Sequence, residues 1–249
     1  MSNLRAENLK KSFNRRFVVN DVIVNIASGE IISLLGRNGA GKTTTFQMMV
    51  GLLRPDSGSI FLDDRDISRY STHKRAEAGI TYLPQENSVF LKATTENNLK
   101  LVLELKMDSQ NNIEEKTHQI LEELGLLPLA KQFAYTLSGG ERRRLEIGRS
   151  LILNPKFMLL DEPFTGIDPL TIKELQKILI NLKNKGIGII LSDHNVRDAL
   201  RITDRAYIID DGQILVEGTP QDIAADEKAK KRFLGKNFNL GDEIKDYLS

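Results

Sequence analysis

Val22, Val24 and Ile26 alternate with polar positions before Ser28-Gly29 turns the chain, so the first 30 residues predict short strands joined by turns. Glu30 to Leu35 is a mostly apolar run bounded by glycine and predicts a buried strand. Helical spacing follows from Thr43 to Leu53, where Pro55 stops it, and residues 58–70 return to short strands opened by Gly58. Residues 94–152 predict mainly helix. Ile113, Thr117, Ile120, Leu121 and Leu124 share one face, with Gly125 placed as a C-terminal cap. Leu145, Gly148, Leu151 and Ile152 form the inner face of a second helix. Its other face carries Arg142, Arg143, Arg144 and Arg149 and reads as a solvated side.

Phe157 to Leu160 is an apolar run ending in two acids. Leu175, Ile178, Leu179 and Leu182 then predict a core-facing helix before a strand over 187–191. Apolar strands alternating with helices imply a parallel sheet covered on both faces. Asp211-Gly212 between two apolar runs is a hairpin signal, and Thr219-Pro220 a helix start. No linker or internal repeat interrupts the pattern, so the helical stretch is an insertion within one α/β fold rather than a tethered domain.

Composition narrows the classes further. The 249 residues carry 35 basic and 34 acidic side chains, a net charge of +1, which gives no global drive toward nucleic acid or anionic lipid. With no cysteine, neither a disulfide framework nor a thiolate metal site is possible. The N-terminus lacks the apolar stretch of a signal peptide, and no run approaches the roughly 20 apolar residues of a membrane span. The expectation is a soluble chain whose membrane role, if any, comes through a partner.

Gly36-Arg37-Asn38-Gly39-Ala40-Gly41-Lys42-Thr43 fits G-x-x-x-x-G-K-[ST], with Thr44 continuing into the helix. Glycines let successive backbone N–H groups turn inward on phosphate oxygens, and the helix start adds its positive end. Lys42 supplies a point charge for the β- and γ-phosphates, and the Thr43 hydroxyl is a hard oxygen ligand suited to Mg²⁺. Asp161 and Glu162 end an apolar strand, the pattern expected beside such a loop. Asp161 is placed near the Mg²⁺, and Glu162 as the general base for an attacking water. Ser138, Gly139 and Gly140 begin a helix, a second N-terminal anion site, 23 residues before Asp161.

In this order and spacing the chain resembles the nucleotide-binding domains of ABC transporters. The resemblance covers nearly the whole chain. It implies a P-loop NTPase (RecA-like) core with a mostly parallel sheet, an antiparallel β subdomain and an inserted α-helical subdomain. In a single domain over 1–249, residues 1–85 and 154–220 would be the core, 86–153 the helical subdomain, and 221–249 a C-terminal helical tail. Gln85 resembles the glutamine that meets Mg²⁺, Gly166-Ile167-Asp168 the D-loop, His194 the histidine that contacts the γ-phosphate, and Phe13 the aromatic that stacks on adenine. Glu141 stands where the family's signature commonly has glutamine. The family's ATPases work as head-to-tail pairs, so Ser138, Gly139, Gly140 and Glu141 would act in trans on ATP held by Lys42 of a second copy.

Within the family, the stretches 38–46, 82–86, 137–144, 161–164 and 192–197, and the ending 232–240, resemble ATPases of lipopolysaccharide export. That implies a homodimer on the cytoplasmic face of the bacterial inner membrane, bound to two transmembrane subunits. Phe90, after Gln85, is the candidate for coupling to them, although Leu91 stands where relatives commonly carry a basic residue. An importer ATPase of the branched-chain amino-acid type shares Pro-Phe-x-Gly-x-Asp-Pro and stays open as an alternative. A soluble ABC protein acting on nucleic acid or ribosomes is disfavoured by a single ATPase half and no heptad run. Residues 241–249 receive no assignment.

Overall fold

The computed structural model describes residues 1–106, 110–236 and 238–240. The chain opens with β1 (Asn3–Phe13) and β2 (Arg16–Ala27), which are long antiparallel partners rather than short strands. Their ladder is interrupted by register shifts between Ala6 and Leu9, Leu9 and Lys10, and Lys11 and Ser12, with Asn8 and Asp21 at φ 51° and 66°. Bulges of this kind break the alternation while the strand continues. With β4 (Ser57–Leu62) and β5 (Arg65–Asp66) these strands form an antiparallel sheet in the order β2-β1-β4-β5.

Between them, β3 (Ile31–Leu35) leads through a glycine-rich turn into α1 (Lys42–Val50). The helix stops short of Leu53 because Gly51 takes a left-handed φ of 81°. Arg75, on α2 (Thr72–Glu77), then donates to the Met48 and Met49 carbonyls at 2.8 and 2.7 Å. This buried guanidinium also bonds the Tyr70 and Ser68 carbonyls, and burial lowers its pKa to about 10.

The helical stretch comprises α3 (Thr95–Leu103), α4 (Gln110–Glu123) and α5 (Gly139–Leu151), inserted between β6 (Ile80–Leu83) and β7 (Phe157–Asp161). There follow α6 (Pro169–Asn184), β8 (Gly188–Ser192), α7 (Val196–Arg201), β9 (Arg205–Asp210) and β10 (Gln213–Gly218). Asp211 and Gly212, at φ 46° and 78°, make the predicted hairpin turn. After α8 (Pro220–Ala225), α9 (Glu227–Ala229) runs into a π-helical turn over Lys230–Leu234. Residues 238–240 carry no helix, and 241–249 lie outside the described residues.

The second sheet has the order β10-β9-β3-β8-β7-β6 and is parallel except at β10. Its strands read as continuous apolar runs because both faces are covered. Ile31, Leu35, Met158, Leu160, Ile189 and Leu191 enter a core shared with α3 to α6, whereas Ile32, Leu34, Phe157, Leu159 and Ile190 pack toward α1 and the antiparallel sheet. The carboxyl ends of β3, β6, β7 and β8 meet along one edge, where ligands of open α/β sheets bind.

Candidate active site

The turn after β3 is shaped by the absence of side chains. A Cβ on Gly36 would lie 2.2 Å from the Ile209 carbonyl oxygen, and one on Gly41 would lie 2.6 Å from that of Val18. Gly39 and Gly41 also have φ of 79° and 110°. Gly41 occupies the N-cap of α1 with no side-chain cap, so the first N–H groups of the helix have no side-chain acceptor. Lys42 is buried, and its Nζ donates to the Gly36 and Arg37 carbonyls at 2.8 and 3.1 Å. Burial lowers its pKa, against the opposing pull of Glu162, Asp161 and Asp193.

A cleft of about 500 Å³ opens over this turn, lined by Asn38, Gly39, Gly41, Lys42, Thr43, Thr44, Gln85, Glu162, Thr165 and His194. The sequence-predicted residues from four separate stretches therefore converge. Glu162 sits just past β7 with φ 49°, an uncommon backbone for a non-glycine residue and a form of strain that clusters at functional sites. Its Oε2 accepts from Gln85 Nε2 at 2.9 Å and Thr165 Oγ1 at 3.1 Å, with His194 Nδ1 3.4 Å away.

Asp161 is buried behind that rim, and both its carboxylate oxygens accept hydroxyl donors. Ser192 Oγ bonds Oδ1, and Tyr82 Oη bonds Oδ2 at 3.2 Å. Burial, aided by Asp161, raises the Tyr82 pKa, so the phenol stays a donor. Asp193 is likewise buried and accepts from the main-chain N–H of Phe164 and Asn195 at 2.9 and 2.8 Å, fixing the loops that carry Thr165 and His194. Burial raises its pKa.

Arg143 corrects the sequence reading of a solvated basic face. It is 6% exposed, pairs with buried Glu146 at 2.9 Å, and donates to the main-chain oxygens of Pro84 and Asp161 at 2.9 and 3.0 Å. Glu146 in turn accepts from the Ser88 N–H at 2.6 Å. Arg149 bonds the Ser88 carbonyl, and its guanidinium lies 4.4 Å from the Phe90 ring centre. Phe90 itself is half-exposed rather than core, held by buried Asn98 through both its N–H and its carbonyl.

The start of α5 is a capping box. Ser138 Oγ accepts from the Glu141 N–H at 3.3 Å, and the Glu141 carboxylate accepts from the Ser138 N–H at 2.7 Å. Gly140 is required sterically, since a Cβ there would come within 2.0 Å of Thr171 Cγ2 on α6. Asp168 caps α6 at the Leu170 and Thr171 N–H groups.

Phe13, the predicted adenine-stacking residue, lines neither cleft beside the loop. It stands exposed at the end of β1 with Lys11 Nζ 5.7 Å from its ring centre. Phe17, which the sequence reading passed over, lines the neighbouring hollow of about 830 Å³ together with Arg37, Ala40, Asp210 and Arg232. Tyr82, Thr165, Ser192 and Asp193 were also not singled out. Each lies within four residues of a motif residue, and that proximity was the available signal.

The residues fit an Mg²⁺-bound nucleotide. Thr43 is exposed and Asp161 is an oxygen donor at the same edge. Two such donors match Mg²⁺, which binds through one or two protein oxygens together with substrate phosphates.

The ABC transporter family model matches residues 19–165, and the chain belongs to that family as one of its ATP-binding, ATP-hydrolysing members. Among its relatives is the lipopolysaccharide export system ATP-binding protein LptB of Haemophilus influenzae, 48% identical over 96% of this chain and all of that protein. The LptB proteins of Acidithiobacillus ferridurans and Escherichia coli K12 are 50% and 46% identical, covering 95% and 96% of this chain and 98% and 100% of their own lengths. An ATP-binding cassette of an ABC transporter, solved in its ADP conformation, superposes with a TM-score of 0.85 at 28% identity. The match covers 95% of this chain and all of the solved one.

Proposed function

We propose that this chain is the ATPase subunit of a lipopolysaccharide exporter, drawing lipopolysaccharide out of the inner membrane toward the outer membrane. The observation that carries the reading is the near-complete, 46–50% identical match to three LptB proteins. On this reading the chain works as a head-to-tail homodimer on the cytoplasmic face of the inner membrane, bound to two transmembrane subunits and to no nucleic acid. Among the described residues no helix is long and apolar enough to cross a membrane.

In the mechanism, the loop N–H groups and Lys42 hold the phosphates. Thr43, Asp161 and, after a change of partner, Gln85 would hold Mg²⁺, which when bound neutralises charge on the β- and γ-phosphates. Glu162 orients and polarises a water for in-line attack on the γ-phosphorus, and His194 takes the γ-phosphate side of the cleft. Gln85 donates to Glu162 in this structure, and its departure would free that carboxylate oxygen to meet water. Phe13 carries the adenine. Ser138, Gly139 and Gly140 of the second copy close the site, with Glu141 holding their turn. Phe90, exposed and braced by Arg149, transmits closure to a transmembrane subunit.

Two experiments test this. Glu162→Gln should bind ATP yet lose roughly 100-fold or more in turnover and accumulate as a dimer; near-normal phosphate release would remove Glu162 from the role. Affinity purification from membranes should recover two lipopolysaccharide-exporter subunits. Recovery of importer permeases with a periplasmic receptor would replace the transport assignment while leaving the ATPase intact.

A further inference from the structure

Asp161 lies at the end of β7, the strand flanked by β8 on one side and β6 on the other. Each flanking strand sends one hydroxyl to it: Ser192 from β8 to Oδ1, and Tyr82 from β6 to Oδ2. A carboxylate gripped at one oxygen can turn about its Cβ–Cγ bond; gripped at both from opposite sides, it cannot. The Tyr82 ring is itself fixed, standing edge-on to Phe46 of α1 with centroids 6.5 Å apart. That helix begins with Lys42 and Thr43, so Tyr82 ties the orientation of the buried acid to the helix that carries the phosphate-binding residues. Three residues on, Gln85 bonds Glu162. One short segment therefore contacts both acids, with a rigid phenol on one and a longer amide on the other.

We propose that Tyr82 is a positioning residue for metal-assisted ATP binding: its phenol holds Asp161 in the orientation that favours Mg²⁺ beside Thr43. The inference rests on the reading of Asp161 as the metal-side acid. Tyr82 touches neither nucleotide nor metal, and its effect is confined to how much the metal strengthens nucleotide binding.

The test measures fluorescent ATP-analogue affinity at low temperature, with Mg²⁺ and with EDTA, for the full-length chain and for Tyr82→Phe, Ser192→Ala and Asp161→Asn. Tyr82→Phe keeps the ring against Phe46 and removes only the donor. It should leave the EDTA affinity unchanged and shrink the Mg²⁺-dependent gain about tenfold, the effect of one hydrogen bond to a charged group. Ser192→Ala should act in the same direction. A gain within twofold of the parent in Tyr82→Phe overturns the proposal, as does an equal loss with and without metal, which marks a merely structural role. If Asp161→Asn also leaves the gain unchanged, the metal-side assignment of Asp161 falls with it. If Asp161→Asn abolishes the gain while Tyr82→Phe does not alter it, only the role of Tyr82 falls.

Discussion

Two helix starts in this chain look alike in sequence and differ in what their N–H groups are doing. Both α1 and α5 are entered through closely spaced glycines with a hydroxyl residue nearby. At α1, Gly41 provides no side-chain cap and Lys42 turns its amine onto the loop carbonyls, so the first-turn N–H groups have no side-chain acceptor. At α5, Ser138 and Glu141 satisfy each other's main-chain donors. One terminus has no side-chain cap; at the other, the Ser138 and Glu141 N–H groups already have side-chain acceptors. On the proposed reading, the half of the site around α1 is preorganised within a single chain. Whether the half proposed to act in trans keeps or exchanges that cap as it docks is what replacing Glu141 reads.

What ties α5 to the ends of β6 and β7 is the most sensitive contact near either helix start. Arg143 reaches from α5 to the main-chain oxygens of Pro84 and Asp161, and its charge is balanced by Glu146, which is 2% exposed. Removing one member of a buried ion pair leaves the other charge uncompensated, and such changes cost about 3–5 kcal/mol. Arg143→Ala should therefore give the largest loss of stability, read from denaturant unfolding. A loss under about 1 kcal/mol, the range of exposed pairs, would show that the two regions are not tied through this contact.

Much of this was legible beforehand, for particular reasons. The glycine-rich turn after β3 could be read because its glycines are fixed by close approach, as at Gly36 against Ile209. The buried strands could be read because both of their faces are apolar. Arg143 could not be read, since four arginines along a helix give no sign that this one is buried against the carbonyls of Pro84 and Asp161; only packing decides that. The length of β1 and β2 was hidden by bulges, which break the alternation that marks a strand. The partners of Asp161 were hidden because Tyr82 and Ser192 come from strands 79 and 31 residues away in sequence.

The open half-site raises a question of its own, because two exposed rings stand near it. Phe13 is the ring proposed to carry the adenine, whereas Phe17 is the ring that lines the hollow beside Arg37. Stacking a base on an aromatic side chain contributes about 1–3 kcal/mol. Phe13→Ala should weaken ATP binding by that amount in a fluorescence titration, with Phe17→Ala close to the parent. The reverse ranking would move the base-binding platform from the end of β1 to β2 and redraw the edge of the preorganised half.

The smallest effect is the one that separates the two helix starts most cleanly. Glu141→Ala deletes the carboxylate that closes α5 and leaves the Ser138 N–H without its partner. Loss of such a cap costs about 1 kcal/mol, so chemical denaturation should show a modest shift. ATP affinity of a single chain should stay unchanged, because nothing in the α1 cleft touches Glu141. If the signature helix exchanges its cap on docking, the variant should also dimerise at a lower concentration in the presence of ATP in a hydrolysis-blocked Glu162→Gln background. There the freed N–H and the lost negative charge both favour an incoming phosphate. Weaker dimerisation in sedimentation would instead mean that Glu141 is needed as a rigid brace, and that the closed α5 terminus docks as it stands.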